Sequence, residues 1–198
     1  MRILVAEDEE NIALAYEFAL KGRGHEIIIT RNGRECVEEY LINSSSSNAD
    51  PSEHVKANPA KSRPPFDVVI MDYRMPEMDG VEAVEEILKI RPDQRIIFAS
   101  AYAQDTVVDT IHQLHFIAEL LQKPFDLRVL IKTVEDSDLA SQLKSLNEQV
   151  RNQDPWSITH EQITDLANAL LKSRDAKIDL KKIFTKKNRV NEFSRTTA

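Results

Sequence analysis

The stretch DVVIMDYRMPEMDG, residues 67–80, runs through an apolar segment, stops at a carboxylate and turns at once. Asp67 to Met71 has the continuous apolar character of a strand buried on both faces, which belongs to a parallel sheet covered by helices. Asp72 then ends the strand, and Pro76 and Gly80 are turn formers. A charge at the tip of a buried strand needs a partner or a task.

Working outward from this strand, Ile3 to Ala6 is a first short apolar strand, and Ile12 to Leu20 repeats apolar residues at helical spacing before Gly22 and Gly24. His25 to Thr30 is a second strand and Gly33 to Ile42 a helix. After the third strand come a helix over Val81 to Ile90, ended by Arg91-Pro92, a strand over Arg95 to Ala99 and a helix over 104–114. Ala118 to Leu121 is a fifth strand, followed by a helix from Asp126 through Val134. Five strands alternating with five helices predict an α/β, doubly wound five-stranded parallel sheet.

Two segments stand outside this rhythm. Asn43 to Pro65 contains NSSSSN, DPSE and RPP, too polar to bury anything and long for a connection within a domain, so it reads as an inserted surface loop. Beyond Val134, Leu139, Leu143, Leu146 and Val150 recur at helical spacing; they either continue the preceding helix or start another. That stripe suits a helix lying back on the domain or an interhelical seam in a homodimer, and two heptads do not separate the two. Thr159 with Gln162 resembles a capping box before Ile163, Leu166 and Leu170. The chain therefore divides into residues 1–134, with the flexible insertion 43–65, and a small C-terminal helical extension, 135–198, with a basic tail.

Composition removes several function classes. The chain has 198 residues and a net charge of −7, with one cysteine, Cys36, which cannot form an internal disulfide. The five histidines show no metal-site spacing. No apolar run is long enough to span a membrane, the start lacks the pattern of a signal peptide, and a cytoplasmic location is expected. Residues 1–134 are acidic, whereas residues 172–198 hold nine basic and three acidic residues. Only that tail would attract nucleic acid, a contact the sequence does not favour.

In such a sheet, chemistry belongs at the carboxyl edge of the strands. Strand one delivers Glu7 and Asp8 there, strand three Asp72, strand four Ser100 and strand five Lys123. Converging carboxylates repel unless something positive neutralises them. A magnesium ion suits that oxygen-rich set, with Asp8 and Asp72 as direct ligands, Glu7 direct or through water, and the backbone carbonyl of Arg74 in another position. Lys123 adds fixed positive charge and Ser100 a hydroxyl donor. Asp72 is then a nucleophile for phosphoryl transfer from a phosphohistidine donor.

The motifs ILVAEDEE, VVIMDYRMPEMDG, FASAY and LLQKPFD resemble, in order, the four site segments of the CheY-like receiver domain of two-component response regulators. The resemblance covers about residues 1–134 and implies a flavodoxin-like sheet of strand order 2-1-3-4-5. It implies Asp72 as phosphoacceptor, Glu7 and Asp8 as the acidic pair, Ser100 as the switch hydroxyl and Lys123 as the phosphoryl-contacting lysine. It further implies a cis peptide before Pro124, a turn glycine at Gly80 and a switch face around the fifth strand. Two positions depart from the family. Glu7 stands where aspartate is commoner, and its extra methylene moves the carboxylate outward by about 1 Å. Leu120 stands where many members carry a rotating aromatic ring, leaving coupling to packing or to Tyr102.

The function implied is a phosphorylation-controlled switch of protein–protein interactions, enzyme-like only in catalysing its own phosphorylation and dephosphorylation. Its partners would be a histidine kinase or phosphotransfer protein and a downstream protein. The alternative is a DNA-binding transcription regulator acting through the basic helical C-terminus.

Overall fold

The computed structural model describes residues 1–46, 64–101, 116 and 118–152. Within them the order is β1 (Arg2–Ala6), α1 (Glu10–Lys21), β2 (Glu26–Thr30), α2 (Gly33–Ser46), β3 (Val68–Asp72), α3 (Gly80–Ile90), β4 (Ile96–Ser100), β5 (Glu119–Gln122), α4 (Leu127–Glu135) and α5 (Ser137–Asn152). The strands make one parallel sheet in the order β2-β1-β3-β4-β5. The helix expected over 104–114, the helices expected beyond residue 152 and most of the 43–65 insertion lie outside the described residues.

The sheet is covered on both sides because its central strands are apolar on both sides. β3 and β4 are buried at every position. Alternate residues go to opposite layers: Leu4, Val69, Met71, Ile96 and Phe98 pack with Tyr40 of α2 and Val84 and Ile87 of α3. Ile3, Val5, Ile70, Ile97 and Leu121 pack with Tyr16 and Leu20 of α1 and Leu130 and Val134 of α4. Each such aliphatic side chain contributes roughly 1.5–3 kcal/mol on burial, so the two layers supply most of the driving force.

Several boundaries differ from the sequence reading. α2 runs on to Ser46, four residues into the expected loop. Its polar end is satisfied within the helix: Asn43 Nδ2 donates to Glu39 O at 2.8 Å, Ser44 Oγ to Tyr40 O at 2.8 Å and Ser45 Oγ to Leu41 O at 3.0 Å. β3 includes Asp72, which pairs in register with Ala99 of β4. α3 starts at Gly80, one residue earlier than read, because Asp79 and Glu82 form a reciprocal capping box. α4 does not continue into the following helix. Asp136 closes it, and its side chain accepts from Leu139 N–H at 2.9 Å to cap α5.

One compact unit of the chain runs from Met1 to Glu148, so most of α5 is part of the sheet-bearing body. Leu143 and Asn147 are buried, facing Asp93 to Ile96 and Phe116 at the start of β4 and before β5. Lys144 reaches Asp93 at 3.2 Å. α5 thus lies at the amino end of the strands, opposite the carboxyl edge.

Candidate functional site

Register sets the site. Ala6 pairs with Met71, Asp72 with Ala99 and Ser100 with Gln122, so four strand tips end at one level. The side chains that follow are brought together. One carboxylate oxygen from each of Glu7, Asp8 and Asp72 lies within 4.8 Å of the others. Lys123 Nζ donates to Asp72 Oδ2 at 2.9 Å and to Glu7 at 2.7 Å (Oε2) and 3.0 Å (Oε1). Ser100 is fully buried at the tip of β4, and its carbonyl accepts the Lys123 N–H at 2.7 Å. The peptide between Lys123 and Pro124 is cis.

Three carboxylates face one ammonium, leaving uncompensated negative charge in a pocket whose walls are protein. Asp8 is exposed, while the side chain of Glu7 is 1 % exposed. Burial raises the Glu7 carboxyl above the usual carboxylate range despite the hydrogen bonds from Lys123, and the charge of Asp72 pushes the same way. The Lys123 ammonium is depressed by burial, yet Glu7 and Asp72 more than offset this and hold it above its ordinary value. A hard divalent cation would relieve the same imbalance, and the all-oxygen donor set fits one.

The loop after β3 is fitted to Asp72 in two ways that the residue pattern only half revealed. Gly80 is needed for space: a Cβ there would collide with the Asp72 backbone oxygen and lie 2.9 Å from Met71 Cγ. Its φ is not in the left-handed region; the residue that adopts that conformation is Glu77, at φ 66°. Tyr73, not singled out from the sequence, donates its backbone N–H to Asp72 Oδ1 at 2.6 Å. Its ring meets Phe98 edge-on at 6.4 Å between centroids, and the Arg74 guanidinium lies over the same Tyr73 ring, 5.3 Å from its centroid. Being a main-chain donor, the Tyr73 N–H leaves no mark in residue type. Leu120 pairs in register with Phe98 and is half-buried against the α2–α3 layer; Tyr102 lies outside the described residues.

A family model described as the response regulator receiver domain matches residues 3–135. The chain belongs to the response regulator receiver family. This receiver is 31 % identical over 152 residues to regulatory protein AtoC of Escherichia coli (strain K12), an alignment covering 76 % of the chain and 27 % of AtoC. It is 32 % identical over 108 residues to chemotaxis protein CheY of Thermotoga maritima, covering 54 % of the chain and 72 % of that protein. The chain thus spans about a quarter of AtoC and most of CheY. In fold it is similar to a CheY-like receiver from Methanospirillum hungatei, with a TM-score of 0.54 at 21 % identity over 71 % of this chain and 96 % of the other. A similar likeness, TM-score 0.53 at 22 % identity over 68 % of this chain and 86 % of the other, links it to a structure of the CheX–CheY–BeF3–Mg complex from Borrelia burgdorferi. As a receiver it is a two-component signalling module with an acidic pocket at its carboxyl edge. Among the described residues no helix is long and apolar enough to cross a membrane.

Proposed function

We propose that this receiver accepts a phosphoryl group on Asp72 from a phosphohistidine on a histidine kinase or phosphotransfer protein, and that the product switches binding of a downstream protein in the cytoplasm. The observation that carries the reading is the Lys123 ammonium 2.9 Å from Asp72 Oδ2 inside a cluster of three carboxylates. An Asp72 oxygen attacks phosphorus, an O–P bond forms, and the N–P bond to the donor imidazole breaks with its electron pair leaving on nitrogen. Lys123 and the Ser100 hydroxyl supply positive charge and a donor to the phosphoryl oxygens. Water later cleaves the acyl phosphate and restores the carboxylate.

Magnesium fits the all-oxygen donor set of this pocket and would be held by the carboxylates of Asp8 and Asp72, by Glu7 directly or through water, and by the Arg74 backbone carbonyl. When bound it supplies charge neutralisation for the transferring group. The Tyr73 N–H fixes one Asp72 oxygen, so the other is presented with a defined orientation.

The test is incubation of the full chain with magnesium and a small acyl-phosphate donor, read by intact mass and by mapping the modified peptide. One phosphate on Asp72, lost in Asp72→Asn, is expected; retained labelling of the variant contradicts the assignment. A second reading, binding of DNA through the basic stretch 172–198, rests only on its nine basic and three acidic residues. It predicts binding that weakens steeply with salt and disappears when that stretch is removed.

A further inference from the structure

We propose that the outward face of α1 is a self-complementary interface through which two copies of this chain pair antiparallel about a two-fold axis. The inference goes beyond the phosphoacceptor reading and does not depend on it.

The helix has two faces. Ala13, Tyr16 and Leu20 are buried. Turned away from them, Glu10, Leu14, Phe18 and Lys21 recur at spacings of four, four and three and form one exposed row. A single exposed apolar residue is ordinary, but here Leu14, 53 % exposed, and Phe18, 83 % exposed, are neighbours one turn apart. Phe18 is the most exposed large apolar side chain among the described residues. An apolar centre with a charged rim is the pattern of an interface patch.

The charges identify the occupant. The row begins with an acid, Glu10, in the first turn and ends with a base, Lys21, in the last. A two-fold axis midway between Leu14 and Phe18 lays Leu14 of one copy on Phe18 of the other, and the reverse contact follows by symmetry. It also brings Glu10 to within one residue's rise, about 1.5 Å, of the level of Lys21 in the other copy. Opposite charges then meet at both ends of the apolar centre. A parallel pairing would set Glu10 against Glu10 and Lys21 against Lys21, which repel.

No existing contact has to be given up. Glu10 accepts from Arg31 at 3.2 Å and Lys21 donates to Glu17 at 2.6 Å, both at the surface. A carboxylate has two acceptor oxygens and an ammonium three donors, so each can add a partner. Two features keep the affinity low. Each chain has a net charge of −7, so copies repel at long range. A contact between two 12-residue helices falls below the roughly 1,200 Å² of stable complexes. The dimer is therefore reversible and fills with concentration.

The experiment is sedimentation velocity on the full chain between about 10 μM and 1 mM, with dimer expected to grow over that range. Phe18→Ser removes a ring from both copies at once and should raise the dimer Kd at least about tenfold. Its urea midpoint should match wild type, because the position is exposed. Glu10→Lys and Lys21→Glu each set like charges opposite one another at both ends, and each should weaken the dimer about threefold or more. Mixed together, these two variants should associate more tightly than either alone, since each then faces the opposite charge at both ends.

A wild-type chain that stays monomeric at about 1 mM overturns the proposal. If Phe18→Ser then slows phosphorylation by a phosphorylated histidine phosphotransfer protein, the face belongs to that donor. A dimer unmoved by Phe18→Ser forms elsewhere and overturns the proposal too. So does a mixture no tighter than its components, because the order of charges along α1 would then not set the pairing.

Discussion

Lys123 Nζ lies 2.9 Å from Asp72 Oδ2 although 51 positions of chain separate the two residues. The contact depends on the sheet, because each residue is carried by the tip of its own parallel strand and β4 holds the two tips at one level.

Replacing Lys123 with Ala should leave the fold standing and impair its chemistry. The two layers of the core do not use this side chain, but Glu7 and Asp72 would lose a shared partner at a site where Lys123 is 13 % exposed. A metal-free loss of about 1–3 kcal/mol in urea unfolding is expected, reduced by added magnesium. Phosphorylation of Asp72 should slow by at least about tenfold. An unchanged rate would remove Lys123 from the mechanism, and an unfolded variant would show that the ion pair holds the fold.

Gly80→Ala tests how tightly the loop is fitted to the phosphoacceptor strand. In an open helix the exchange would gain up to about 1 kcal/mol. Here the new Cβ would run into the backbone oxygen of Asp72, which belongs to a strand paired on both sides and cannot easily give way. Overpacking typically costs about 1–3 kcal/mol, so a net loss of about 2 kcal/mol is expected. Stabilisation measured by denaturant titration would mean that α3 shifts freely against β3.

Much of this was legible in the sequence for a physical reason. Buried parallel strands read as unbroken apolar runs, and a charged residue at the end of such a run, as at Asp72, marks the edge where strands deliver side chains. The order of the strands came only through the resemblance, since apolar runs do not say which strand lies beside which. Less visible were groups defined by reach or by the main chain. Glu7 and Lys123 meet over the tip of a third strand, and the Tyr73 N–H carries no residue identity. The end of α2 was hidden because Asn43, Ser44 and Ser45 are turn formers by type, while here they bond back to carbonyls one turn earlier.

That helix end changes how the insertion should be tested. Arg2 ties the two flanks together, donating from its guanidinium to Asn43 Oδ1 at 3.0 Å and to Pro65 O at 2.9 Å. Removal should therefore begin after Ser46, with residues 47–63 replaced by a short Gly-Ser link. Shortening a loop changes closure entropy only slowly with length, so a stability change within about 1 kcal/mol is expected by urea unfolding. A loss of several kcal/mol would show that the removed residues pack on the body.

The seating of α5 should depend on pH through Asp93. Arg91 Nε stands 2.7 Å and Lys144 Nζ 3.2 Å from its carboxylate. Burial pushes the Asp93 carboxyl up, but the hydrogen bonds and charges of Lys144 and Arg91 outweigh this and hold it below its ordinary value. A carboxyl whose folded value lies below its unfolded one, about 3.9, stabilises fully above that unfolded value and loses its contribution as pH falls through the folded one. The difference in urea stability between wild type and Asp93→Asn should therefore be constant from about pH 7 to pH 5 and shrink below about pH 4. At neutral pH, Lys144→Ala should cost less than about 1 kcal/mol, because that lysine is 56 % exposed. Leu143→Ala, which empties a buried position, should cost about 2–3 kcal/mol. If the Asp93→Asn difference is as large at pH 3 as at pH 7, the charge of Asp93 does not hold α5 in place. Equal effects of Lys144→Ala and Leu143→Ala would show that the ion pair, and not apolar burial, sets the docking.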